Sequence, residues 1–117
     1  MDNTQQNTEG HRHGTQQQLE YAIALAVEFV NNLYEDLQEF KSLIQGTSEA
    51  CRHATSRIPK QPNHPQRGMR EAHLHVLEQS RDALQARLDE TLARYDDAVR
   101  CLKMLVAQRN RQMRAAS

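Results

Sequence analysis

Residues 19–44 read LEYAIALAVEFVNNLYEDLQEFKSLI. Their apolar positions fall at Leu19, Ile23, Ala26, Val30, Leu33, Leu37, Phe40 and Ile44, in steps that alternate four and three. This a/d heptad spacing holds one face of an α-helix against a partner helix. A seam of this kind sets how a chain associates and brings no chemistry with it. The chain therefore reads as all-α, a long antiparallel helical hairpin of two amphipathic helices behind a disordered N-terminal tail.

Working outward, residues 1–14 are polar and without periodicity, the pattern of a tail. Thr15 is placed to cap the first helix, with Gln18 completing a capping box. That helix is predicted over about 16–45, roughly 45 Å at 1.5 Å per residue, with Gly46 as its C-terminal stop. Its two halves differ. Tyr21–Val30 is apolar nearly all round, because Ala22, Leu25 and Phe29 add a second stripe. Beyond Asn31 a single apolar face remains, covered outside by Glu35, Asp36, Glu39 and Lys41. A helix apolar on several sides needs more than one neighbour.

The connection is predicted over 46–68. Thr47 or Ser48 would cap a short helix there, and Pro59, Pro62 and Pro65 keep the remainder irregular. The second helix is predicted over about 69–112, with residues 114–117 frayed. Its apolar positions include Leu74, Leu77, Leu84, Leu88, Leu92, Tyr95 and Val99, interrupted at Arg81. These steps drift from a strict heptad and predict straight bundle packing rather than a long supercoil. Arg109, Arg111 and Arg114 suit a helix C-terminus.

The hairpin domain, residues 15–113, is predicted to set Ile44 near Leu74, Val30 near Leu88 and Ile23 near Tyr95. Its seam would comprise Leu19, Ile23, Val30, Leu37, Phe40 and Ile44 against Leu77, Leu84, Leu88, Leu92 and Val99. In this register the second helix outruns the first. A partner interface follows at that end, made of Leu25, Phe29, Leu33, Tyr95, Leu102, Leu105 and Val106, since contiguous apolar patches mark interaction surfaces.

Composition agrees with an elongated form. Hydrophobic residues are 38% of 117, aromatics 4%, and Trp is absent, which leaves little for a globular core. The net charge is zero but polarised. Residues 1–50 hold eight acids and two bases, and residues 51–117 hold thirteen bases and seven acids. Attraction between antiparallel helices accounts for this. Direct nucleic-acid binding is not expected, because acids interleave with the bases and no aromatics accompany them. The polar N-terminus lacks a signal-peptide core, so an intracellular, reduced protein is expected. Tyr21–Val30 is too short to span a bilayer.

Nothing in the sequence assembles an active site. No two of the six His stand at the i,i+4 spacing of a helical metal site, so no metal is expected. Cys51 and Cys101 lie far apart in the predicted hairpin, and no disulfide is expected. The acidic clusters around Glu35, Asp89 and Asp96 have no nucleophile beside them. The chain is expected to be no enzyme, with no cofactor and no small-molecule substrate.

Two segments carry a resemblance: QQLEYAIALAVEFVNNLYEDLQEFKSLIQ (17–45) and LQARLDETLARYDDAVRCLKMLVAQRN (84–110), the latter around ARYDDAVRCL. Together they resemble subunit 30 of the Mediator complex in its plant and green-algal form. About half of the chain is covered. The resemblance implies a nuclear, non-enzymatic scaffold subunit packed with other helical subunits in the Mediator head region. Two rival readings start from the same residues. One is a self-contained homodimeric coiled-coil adaptor, cytoskeletal or vesicle-tethering. The other is a nucleic-acid-binding helix pair.

Overall fold

The computed structural model contains two helices, α1 (Asp2–Ser56) and α2 (Arg67–Ala116). Residues 14–116 are described in full, residues 2–13 by backbone alone, and Met1 and Ser117 not at all. The predicted tail, with His11 and His13, thus lies outside the fully described residues, Gly14 excepted. The architecture is all-α and hairpin-like, with no strand among the described residues.

Three predicted boundaries are corrected. Thr15 lies inside α1 and does not cap its start. Gly46 does not end the helix, which continues to Ser56. Nor does a separate short helix begin at Thr47 or Ser48: the Thr47 hydroxyl donates to the Leu43 carbonyl at 2.8 Å, a bond made inside a continuing helix. The physical reason is the seam. Its three-four alternation runs on from Ile44 through Thr47, Cys51 and Ala54, and all three are buried or half-buried. A mid-helix Gly costs only about 1 kcal/mol relative to Ala, less than the packing of the turns that follow it.

Proline sets the true end of α1. Pro59 has no N–H to give to the Thr55 carbonyl and crowds it. The last turn tightens instead, with Arg57 N–H donating to Ala54 and Ile58 N–H to Thr55, both at 3.2 Å. Turns at Gln61–His64 and His64–Arg67 lead into α2. There the His64 Nδ1 accepts the Gln66 N–H at 3.1 Å, and Arg67 pairs with Glu71 at 2.8 Å. Pro65 sits just before the helix, where a missing N–H does no harm. The irregular connection is therefore 57–66, shorter than predicted.

The chain packs as two units. In unit 2 (Tyr34–Ala93) the inner face of α1 carries Leu37, Phe40, Ile44, Thr47, Cys51 and Ala54. That of α2 carries Leu74, Leu77, Arg81, Leu84, Leu88 and Thr91. In unit 1 (Met1–Leu33 with Arg94–Ser117) the inner residues are Leu19, Ile23, Ala26, Val30 and Leu33 on α1. Those on α2 are Tyr95, Ala98, Leu102, Leu105, Arg109 and Gln112. Every step in both α2 sets is three or four in strict alternation. The predicted drift is thus corrected: the inner positions are Thr91 and Ala98, with Leu92 37% exposed and Val99 half-buried on the flank. Thr91 can be buried because its hydroxyl donates to the Arg87 carbonyl at 2.8 Å.

The register is corrected as well. In unit 1, Arg109 Nη1 lies 3.7 Å from Glu20 Oε2, which sets Ile23 level with Val106 instead of Tyr95. In unit 2, Arg70 Nη1 donates to the Arg57 carbonyl at 3.2 Å, and Cys51 lines the same hollow as Leu74. Ile44, two turns before Cys51, therefore lies level with Arg81–Leu84 rather than Leu74. Each shift is roughly ten residues, nearly three turns. It follows directly from the extra turns that α1 gains beyond Gly46.

Candidate functional site

In unit 1, α1 exposes Tyr21, Leu25 and Phe29 at 68%, 48% and 54%. They stand four residues apart, so they line one stripe of the helix surface. Val27 is exposed on the opposite flank of the seam. Apolar residues are thus presented on both sides of the inner face, as the composition of Tyr21–Val30 requires. On α2, Met104 and Met113 are exposed, as is Cys101. Unit 2 exposes Tyr34, Leu43, Met69, Val76 and Leu92, spread along both helices. Singly scattered apolar side chains are ordinary; a run of four within nine residues is the feature that stands out.

The structure separates the predicted interface residues. Leu25 and Phe29 are exposed and available. Leu33 is 7% exposed and belongs to the hairpin interior. Tyr95, Leu102, Leu105 and Val106 are half-buried. They do not project past α1, because the corrected register places α1 residues level with them. The predicted open end of the second helix is therefore not formed by these residues. Of the predicted seam, Leu19, Ile23, Leu37 and Leu88 are buried, and Val30, Phe40, Ile44, Leu77 and Leu84 are half-buried.

Sequence reasoning placed Tyr21 and Val27 in a stretch apolar on several sides but left both out of the predicted interface. The signal was present: both lie off the a/d positions of a seam already identified. It also missed Thr91 and Ala98, since choosing the largest apolar side chains favoured Leu92 and Val99.

The seam carries polar side chains at Thr47, Arg81, Thr91, Arg109 and Gln112. Arg109 is half-buried, and its Nε has no hydrogen-bond partner among the described residues. Cys51 is buried and Cys101 exposed, both as free thiols. Among the described residues no three His, Cys, Asp or Glu side chains converge on a metal position. No helix among them is long and apolar enough to cross a membrane. Comparison with protein-family models, curated proteins and solved structures gave no match to this chain.

Proposed function

We propose that this chain is a non-enzymatic helical subunit of a multiprotein assembly, docking through the Tyr21–Phe29 surface of α1. The observation that carries this reading is the exposed stripe of Tyr21, Leu25 and Phe29. It is supported by the thinness of the interior: no described side chain is fully buried. Two helices enclose a side chain on too few sides, and further helices supply the rest. Covering each large apolar side chain contributes about 1.5–3 kcal/mol.

The assembly we propose is the Mediator complex in the nucleus, which couples DNA-bound activators to RNA polymerase II. This finer reading rests on the likeness of residues 17–45 and 84–110 to its subunit 30. The partners are then other helical subunits of the head region, contributing amphipathic helices to a composite bundle.

Affinity purification of the tagged chain from its own cells tests both levels. Wild-type chain brings down helical partner subunits. Phe29→Asp or Leu25→Asp releases them while the isolated variant keeps its helical melting transition. Co-purification of Phe29→Asp at wild-type yield would remove the docking stripe. A stable, cooperative dimer at low micromolar concentration, with no other protein attached, would favour the self-contained adaptor instead.

A further inference from the structure

Residues 50–70 contain five Lys or Arg and no Asp or Glu. Part of this excess surrounds a hollow of about 220 Å³ within unit 2. Apolar residues line its floor: Ala50, Ala54 and Leu77. Basic groups form its rim: His53 from α1, Arg57 just past its end, and Arg70 and His73 from α2. On its α1 side stand two small residues, Ala50 and the seam residue Ala54.

The two arginines differ in their freedom. Arg70 is held in place. Its Nη1 donates to the Arg57 carbonyl at 3.2 Å, and its Nε and Nη2 donate to Gln66 Oε1 at 3.3 and 3.0 Å. A guanidinium has five N–H donors, so two of its protons remain available from a fixed position. Arg57 is exposed, and no carboxylate among the described residues pairs with it. The rim thus offers one pre-positioned and one adaptable guanidinium, a combination suited to carboxylates.

Size and lining select the ligand class. At about 220 Å³ the hollow is below the usual ~300 Å³ of a small-molecule or cofactor pocket. It matches one side chain. A bare inorganic anion gains nothing from an apolar floor, where desolvation opposes it. A nucleic-acid strand wants a row of cations with stacking aromatics, and no Phe, Tyr or Trp lines the hollow. We infer that this hollow receives an acidic segment of a partner protein, with one apolar side chain on Ala50, Ala54 and Leu77 and carboxylates on Arg57 and Arg70. The site goes beyond the docking stripe of α1, lies in the other unit and does not depend on it.

Fluorescence anisotropy of the full chain with a labelled Glu-Asp-Glu-Phe-Asp-Glu peptide tests the inference. Saturable binding is expected. The same peptide with Ser for Phe binds more weakly, and one with Lys for every acid does not bind. Arg57→Glu, at an exposed position, weakens binding about tenfold or more, the worth of a charge-assisted contact, and His53→Glu, also exposed, weakens it by setting a like charge on the rim. Both keep the wild-type circular-dichroism melt. Phe29→Asp binds the peptide as wild type does, which separates this site from the docking stripe. Four outcomes would overturn the inference: no saturable binding, equal affinity for the Ser peptide, an Arg57→Glu affinity within about twofold of wild type, or tighter binding of a single-stranded oligonucleotide.

Discussion

Gly46 is the residue at which the local rule and the packing disagree, and packing prevails. A Cβ added there meets nothing within 4 Å, and the position has ordinary helical geometry with no positive φ. Gly46→Ala is therefore expected to stabilise the isolated chain by about 0.5–1 kcal/mol, raising Tm by several degrees for a chain of this size. A lowered Tm in a circular-dichroism melt would return Gly46 to the role of helix stop. Leu33 and Phe29 form a second contrast. They are of the same chemical class and one turn apart, yet one is 7% and the other 54% exposed. Leu33→Ala is expected to cost about 2–5 kcal/mol. Phe29→Ala should stay within about 0.5 kcal/mol in the absence of partners. Equal losses in chemical denaturation would mean that Phe29 is covered within the isolated chain.

At the scale of the helices, what could be read in advance was periodicity, and what could not was length. Leu19–Ile44 announced α1 through eight seam positions, and Pro59, Pro62 and Pro65 announced a break that no helix crosses. The error came from treating Gly46 as a boundary. A glycine marks the end of a helix only if the apolar pattern ends with it, and Thr47, Cys51 and Ala54 carried the pattern on in residues too small or too polar to be conspicuous. From that boundary came the misplaced register, and from the register came the supposed overhang of Leu102, Leu105 and Val106. In α2 the same bias toward large side chains hid Thr91 and Ala98. The register is open to direct test. With Cys51 and Cys101 replaced by Ser, cysteines at positions 20 and 109 should join through a short bismaleimide. Cysteines at 23 and 95 should not, since the register separates them by roughly 15 Å along the axis. Cross-linking of the second pair alone would restore the original alignment. Arg109 is the seam's weak position, its Nε buried and without a partner. Arg109→Leu should raise Tm modestly, because the lost Glu20 contact at 3.7 Å is long and partly exposed. A fall in Tm would show that the pair contributes more than its geometry suggests.

At the scale of the whole molecule, both proposals rest on what the two helices leave uncovered. The exposed stripe of Tyr21, Leu25 and Phe29 was legible in outline, since Tyr21–Val30 was too apolar for one neighbour. The basic hollow near the connection was not. It is assembled from Arg57 and Arg70, thirteen residues apart in sequence, and depends on α1 reaching Ser56. His53 and His73, which no helical metal spacing links, meet at one rim in the folded chain. A shallow site of this kind has no sequence motif, because its members come from two helices whose alignment must be known first.

The thin interior has a consequence for how the chain persists in a cell. With no described side chain fully buried, brief openings of the free hairpin meet little resistance, and each one presents cleavable backbone to proteases. In the proposed assembly, copies held by neighbouring helices would be spared that exposure. The supply of the partners, rather than the rate of its own synthesis, would then set how much of this chain survives, and copies made in excess would be the first removed.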